Sequence, residues 1–299
     1  MSRREKLLIR DLVGKVRKER AANKTMSDYT KIMTRVGTRL AKLNIQIKDA
    51  EHIKVKHVEQ YMESRKNEAL SNRTLQNEMA AIRRVLVQAG KTQMADPNHE
   101  RLSNQALGIS GADRKGTKEA VSDERYREIL ARVEGRDEGV AAALRLSRYL
   151  GLRNEEAVQS AKSLKTWQTA LQRGDERLHV IFGTKGGRDR MTTVVNRDKV
   201  LEAVNLALKY AESHNGKLIN KDSLKSALNF YINVLRRDGE LQGGKETPHS
   251  FRYSYARDAM EYHLSKGYDH QEVLALTSID LGHGDGRGTY ISNVYGQNK

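Results

Sequence analysis

The sequence has 299 residues, 54 Lys+Arg against 38 Asp+Glu, and a formal net charge of +16. It holds no cysteine and only two prolines, which excludes disulfide frameworks, cysteine-ligated metal sites, cysteine nucleophiles and long Pro-rich linkers. No apolar run approaches the ~18–20 residues of a membrane span. The start MSRREKLLIRDLVGKVRKER lacks the apolar stretch of a secretory signal, so the chain is expected in the cytoplasm, near the nucleoid, with no membrane contact.

The charge is uneven. Residues 1–118 carry 26 basic and 13 acidic side chains, a net of +13, and the remainder nets +3. A strongly basic segment binds polyanions by releasing their counterions, and nucleic acid is the commonest such partner.

The first hundred residues show helical periodicity. Tyr29, Ile32, Met33, Val36, Leu40 and Leu43 share one apolar face, with Ser27 placed as an N-cap. Val55, Val58, Tyr61 and Met62 begin a second face. Leu75, Met79, Ile82 and Leu86 form a third, with Gly90 placed to end it. The opposite faces carry Lys31, Arg35, Arg39, Arg73, Arg83 and Arg84, and the five arginines are the candidate DNA contacts. From Lys91 the periodicity fades into a stretch with one Pro, three Gly and many polar residues, read as a linker. The expected organisation is a basic helical bundle over 1–95, a linker over 96–118 and a second domain over 119–299.

In the second domain, Tyr126, Ile129, Leu130 and Val133 predict a helix. Another is expected from about Glu138 to Leu150, stopped by Gly151. Val180, Ile181 and Phe182, then Thr192, Thr193, Val194 and Val195, flank GTKGGRDR and predict a β-hairpin with a glycine-rich turn. Helices are expected over 198–213 and 221–237. Thr247-Pro248-His249 reads as a helix start with Thr as cap, and Asp269 with Glu272 as a capping box for the next helix. The fold class is mainly α with a small β-hairpin.

Five short segments hold chemistry-bearing residues: GLRNEEA at 151–157, GTKGGR at 183–188, PHSFR at 248–252, DLGHGDGRG at 280–288 and SNVYG at 292–296. His249 and Arg252, spaced i,i+3, can face one ligand from a single helical turn, and a helix N-terminus suits a phosphate. Arg153 alone reads as a helix-end charge, Lys185 as a solvated turn residue, His283 as a capping histidine and Tyr295 as a docking aromatic. Their joint occurrence in this order is the specific signal. No H-E-x-x-H or close carboxylate cluster suggests a metal hydrolase, and GTKGGR lacks the P-loop pattern.

The ordered set resembles the catalytic domain of the tyrosine recombinases, the phage-integrase family. That family carries an Arg in a G-L-R-x-x-E context, a Lys on a hairpin turn, an H-x-x-R box, an L-G-H box and a tyrosine nucleophile near the C-terminus. The matching residues are Gly151-Leu152-Arg153 with Glu156, Lys185, His249 with Arg252, Leu281-Gly282-His283, and Tyr295. Residues 71–86 resemble the last long helix of the family's core-binding domain. The resemblance implies a helical core-binding bundle followed by an α+β catalytic domain.

It further implies a site-specific recombinase that cuts and rejoins DNA through a 3′-phosphotyrosyl intermediate. Arg153 and Arg252 would hold the phosphate, Lys185 would protonate the leaving oxygen, His249 and His283 would assist, and Glu156 would orient Arg153. No metal or other cofactor is expected. The expected partners are double-stranded recombination sites, a tetramer on synapsed DNA, and accessory DNA-bending proteins. Two alternatives share the fold: a catalytically silent DNA-binding regulator, and a type IB topoisomerase-like enzyme or hairpin-forming resolvase. Tyr290 and Tyr295 lie seven and twelve residues after His283, and the family's usual spacing falls between them. The SNVYG context favours Tyr295, with Tyr290 as the alternative nucleophile. With four residues after Tyr295, no long C-terminal helix exchanged between protomers is expected.

Overall fold

A computed structural model describes residues 1–18, 23–113 and 115–296. The chain divides into two compact units, 1–113 and 114–299. Among the described residues, no helix is long and apolar enough to cross a membrane. The stretch after Gly296, which bears on the expectation about an exchanged helix, lies outside the described residues.

The N-terminal unit is built from α1 (Arg3–Arg17), α2 (Asn23–Lys42), α3 (Val55–Lys66), α4 (Asn72–Gln88) and the single turn α5 (Thr92–Ala95). Ser2 and Glu5 cap α1 reciprocally. Leu8, Leu12, Met33, Leu40, Tyr61, Met62, Leu75, Met79 and Leu86 meet in one core, as the three apolar faces require. Ser27 does not start a helix. It lies inside α2, which begins four residues earlier, because polar NKT residues extend the helix without needing a cap there. Gly90 does end α4, at φ +74°.

The expected linker differs in its first half. Leu102, Leu107 and Ile109 are buried in the N-terminal core. Side chains of α4 hold the backbone there: Arg83 donates to Leu102 O at 2.9 Å, Gln76 to Ile109 O at 2.7 Å and Asn72 to Ser110 O at 2.7 Å. Three aliphatic residues spaced irregularly are too sparse to register as a helix, yet turns can bury all of them.

The second unit begins with α6 (Asp123–Arg136) and α7 (Glu138–Leu150). Most of α7 is buried, and Gly151 ends it at φ +59°, where a Cβ would lie 2.3 Å from Tyr255 Cδ1. Two helices without a clear signal in the sequence follow, α8 (Asn154–Gln159) and α9 (Leu164–Arg173). The hairpin pairs β1 (Arg177–Val180) with β2 (Arg190–Thr193), Arg177 opposite Thr193 and Val180 opposite Arg190. Ile181 and Phe182 fall outside β1 and are exposed, so the connection is longer than the apolar run suggests. Then come α10 (Arg197–Ser213), α11 (Leu224–Arg237), α12 (Ser250–Ser265), α13 (His270–Asp280) and α14 (Gly288–Tyr295).

The start of α12 also differs. Thr247 and Pro248 form a turn before it, in which Thr247 O accepts from Ser250 N at 2.8 Å, and His249 is the cap residue. The Asp269–Glu272 capping box is present. Gly116 donates to Asn293 O at 3.0 Å, and a Cβ on Gly116 would sit 2.1 Å from Val294 O. The start of the unit is therefore pressed against α14.

Because Leu102 is fully buried, Leu102→Ala should destabilise the N-terminal unit by ~2–5 kcal/mol. Urea unfolding followed by far-ultraviolet circular dichroism measures this. An unchanged midpoint would return residues 96–110 to the status of a free connector.

Candidate active site

The spacing of G-L-R-x-x-E is a capping box in three dimensions. Gly151 closes α7, Arg153 caps α8, and Glu156 at the third helical position reaches back to accept from Arg153 N at 2.8 Å. The same carboxylate takes Arg153 Nη1 at 2.5 Å. L-G-H is likewise a helix end. Gly282 at φ +64° turns the chain out of α13, with Gly282 N on Ile279 O at 2.8 Å and His283 N on Ser278 O at 2.9 Å. This turn presents the carbonyl of Leu281 to two arginines. Arg153 Nη2 donates to it at 3.0 Å, and Arg252 Nη2 also donates to it. Arg252 Nη1 takes the carbonyl of Gly151.

Arg153, Lys185, His249, Arg252, His283, Tyr290 and Tyr295 all line one open cleft of about 670 Å³, with Arg188 and Arg287 at its side. Glu156 lies beneath it, fully buried. Lys185 is exposed on the connection between β1 and β2. That arm rests on α8 through Gly183, where a Cβ would lie 2.5 Å from Glu155 O.

The two tyrosines on α14 are placed differently. Tyr295 is 7% exposed, packs its ring 4.5 Å from that of Tyr253, and sets its hydroxyl 3.4 Å from His283 Nε2. Tyr290 is 39% exposed and lays its ring 4.8 Å from that of His283. A long contact such as the one at Tyr295 is of the kind that tightens when substrate fills a site.

The electrostatics follow from burial among cations. Burial raises the Glu156 carboxyl, but Arg190, Arg252 and Arg153 outweigh it and bring the group to about 2. Burial pulls Arg252 down to about 10, so it remains charged at neutral pH. Burial, then Arg252 and Arg153, push His249 down to about 4 and His283 to about 3. Both imidazoles are therefore neutral at physiological pH and able to accept a proton. Among the described residues, no group of three or more His, Asp or Glu could hold a metal ion.

The five arginines expected to touch DNA in the N-terminal unit have different surroundings. Arg35 pairs with buried Glu78 at 2.5 Å, together with Arg65 at 2.8 Å and the Tyr61 hydroxyl at 2.7 Å. Arg39 pairs with Glu68. Arg83 braces the 102–104 turn. Arg73 and Arg84 are exposed on α4. A separate cleft in this unit is lined by Arg10, Lys15, Lys18 and Lys48 together with Asp11 and Asp49, and is net positive. Sequence periodicity marks the solvent face of a helix, but it carries no sign of a carboxylate on a neighbouring one.

Residues 108–258 match the family model described as Integrase, and residues 5–95 match that of the phage integrase N-terminal domain. The chain belongs to the integrase family of tyrosine recombinases. The first match stops at residue 258, so the places of His283 and Tyr295 rest on geometry. Among solved structures, the chain is similar to the Tn1549 transposon integrase in complex with transposon right end DNA, at 13% identity and a TM-score of 0.59, over 98% of this chain and 96% of that one. It is similar to a lambda integrase dimer bound to a COC′ core site, at 16% identity and TM-score 0.58, over 97% and 77%. It is also similar to XerH site-specific recombinase bound to difH substrate, at 12% and 0.56, over 97% and 94%. At these identities the likeness concerns the fold. No curated protein matches the sequence.

The depressed histidines make a pH signature. Unfolding returns each to its ordinary value near ~6.5, so their contribution to stability is complete above that pH and is lost as pH falls toward about 4. Proton NMR should find that the imidazole signals lost in His249→Gln and in His283→Gln do not titrate between pH 8 and pH 5 in the parent protein. An ordinary titration of either would contradict the burial described here.

Proposed function

We propose that this integrase-family chain is a site-specific DNA recombinase that cuts and rejoins double-stranded DNA through a 3′-phosphotyrosyl intermediate on Tyr295. The observation that carries the reading is the Tyr295 hydroxyl 3.4 Å from the neutral His283, in a cleft shared with Arg153, Lys185, His249 and Arg252. In the cleavage step the Tyr295 oxygen bonds to phosphorus and its proton passes to His283. The bond from phosphorus to the 5′ oxygen breaks, and Lys185 protonates that oxygen. Arg153 and Arg252 hold the non-bridging oxygens, whose charge grows in the transition state. His249 adds a hydrogen bond to the phosphate. Attack by a 5′ hydroxyl reverses every step, so rejoining needs no nucleotide.

The N-terminal unit supplies much of the affinity through its net positive charge. Its exposed cations contact phosphates, including Arg73 on α4 and Arg10, Lys18 and Lys48 of the basic cleft. Arg35, Arg39 and Arg83 act as braces for that surface. The active assembly is a tetramer on two synapsed sites.

The test uses a nicked duplex spanning repeats that flank the gene, in EDTA. Wild-type protein should become covalently attached to DNA. Lys185→Ala should slow this ~10²-fold or more on an ordinary phosphodiester and little on a duplex with a 5′-bridging sulfur, since a thiolate leaves without a proton. Equal slowing on both would remove Lys185 from the acid role. A strict need for Mg²⁺, or no covalent product at all, would overturn the reading.

A further inference from the structure

The cleft leaves one buried cation unexplained. Arg190 begins β2, its side chain is 2% exposed, and it does not line the cleft. Its Nη2 donates to Glu156 Oε2 at 2.8 Å and to Gly151 O at 3.1 Å, and its Nη1 donates to Asp280 O. Two distant chain segments thus converge on one guanidinium: the G-L-R-x-x-E segment, through the carbonyl of its turn and the carboxylate that aims Arg153, and the end of α13 just before L-G-H. The stem of Arg190 also explains Gly282, since a Cβ there would lie 2.6 Å from Arg190 Cδ. Five residues before Arg190, the same hairpin carries Lys185.

We propose that Arg190 is a positioning residue that locks the Lys185 hairpin to the Arg153–Glu156–Arg252 clamp, so that the acid and the phosphate-binding groups share one fixed frame. The proposal rests on the recombinase reading above. Glu156 offers two oxygens. Arg153 takes one through Nη1, and the other is shared by Arg153 N and Arg190. With Arg190 in place, the carboxylate cannot rotate away from Arg153. The carbonyls of Gly151 and Asp280 fix the guanidinium from two further directions, so the planar fork of Arg is required and a Lys cannot span all three acceptors.

Arg190 also sets the charge of Glu156. The groups facing that carboxylate are Arg153 from its own helix, Arg190 from β2, and Arg252 from α12, with His249 beside Arg252 held neutral. Arg190 is the foremost of the charges that keep Glu156 ionised against its burial. Without it the carboxyl would take a proton at higher pH and release Arg153.

Arg190→Lys and Arg190→Gln separate these effects. In single-turnover cleavage at saturating DNA, the Lys variant should be slowed ~10-fold or more, as expected for a misplaced clamp, with unchanged DNA affinity. The Gln variant should be slower still and gain a loss of rate at acid pH that Lys suppresses. If the Gln variant does not fold, the rate and affinity of the Lys variant decide. A Lys variant with wild-type rate overturns the proposal, and so does a Gln variant that loses melting temperature and rate with no change in pH profile. Should the wild type form no covalent product, the functional reading falls and Arg190 is judged by DNA-free protein. Carbon-13 NMR of labelled glutamate should then show the Glu156 carboxyl, assigned by its loss in Glu156→Gln, moving upward in the Gln variant and less in the Lys variant. A carboxyl that stays put contradicts the role.

Discussion

Arg153, Arg190 and Arg252 converge on the carbonyls of Gly151, Asp280 and Leu281, and a single carboxylate, Glu156, faces all three. Burying cations side by side is costly unless every donor finds an acceptor and the charge is partly balanced. Here the ends of two helices supply acceptors to all three guanidinium groups, although the buried Arg190 Nε is left without one. α7 stops at Gly151 and α13 stops at Leu281, and each exposes carbonyls no helical N–H can reach. The clamp is thus made from helix termini, which is why its sequence marks are a glycine after one helix and a glycine after another. Removing Glu156 would leave three guanidinium groups around an empty acceptor site, a loss of ~3–5 kcal/mol by comparison with other broken buried pairs.

The rest of the cleft takes its character from this excess of positive charge. Burial, reinforced by the arginines, keeps His249 and His283 in their neutral forms, so each presents an unprotonated ring nitrogen to the cleft. The arginines also provide a field that a tyrosinate and a phosphate would both relieve. Tyr253 is pushed up to about 12, chiefly by burial, and so stays a neutral wall against the ring of Tyr295. Lys185 is mounted differently from the arginines of the clamp. Lys185 sits on an exposed arm, where it can approach a leaving oxygen, while its strand is anchored below by Arg190.

Much of this was legible in the sequence, and the part that was not has a physical reason. Helix faces such as Met33–Leu40 or Leu75–Leu86 announce themselves because a periodic stripe has one explanation, burial. The i,i+3 spacings in G-L-R-x-x-E and in the Asp269 box are local geometry, and local geometry is written locally. Ser27 misled because a good cap residue is also tolerated within a helix. The 96–110 segment misled because its three buried aliphatics depend on α4 side chains to hold their backbone. Arg35, Arg39 and Arg83 looked like free cations because their partners lie on other elements. Arg190 was invisible for the same reason, since a charged residue beside a glycine-rich turn looks solvated until its acceptors, 34 and 90 residues away, are brought to it.

The most direct test of the account is to identify the residue that carries the DNA. Protein trapped on the nicked duplex would be digested with protease and nuclease, and the nucleotide-bearing peptide sequenced by mass spectrometry. A 3′-phosphodeoxynucleotide is expected on Tyr295, the tyrosine whose hydroxyl meets His283. A nucleotide on Tyr290, or on any residue outside the cleft, would contradict it.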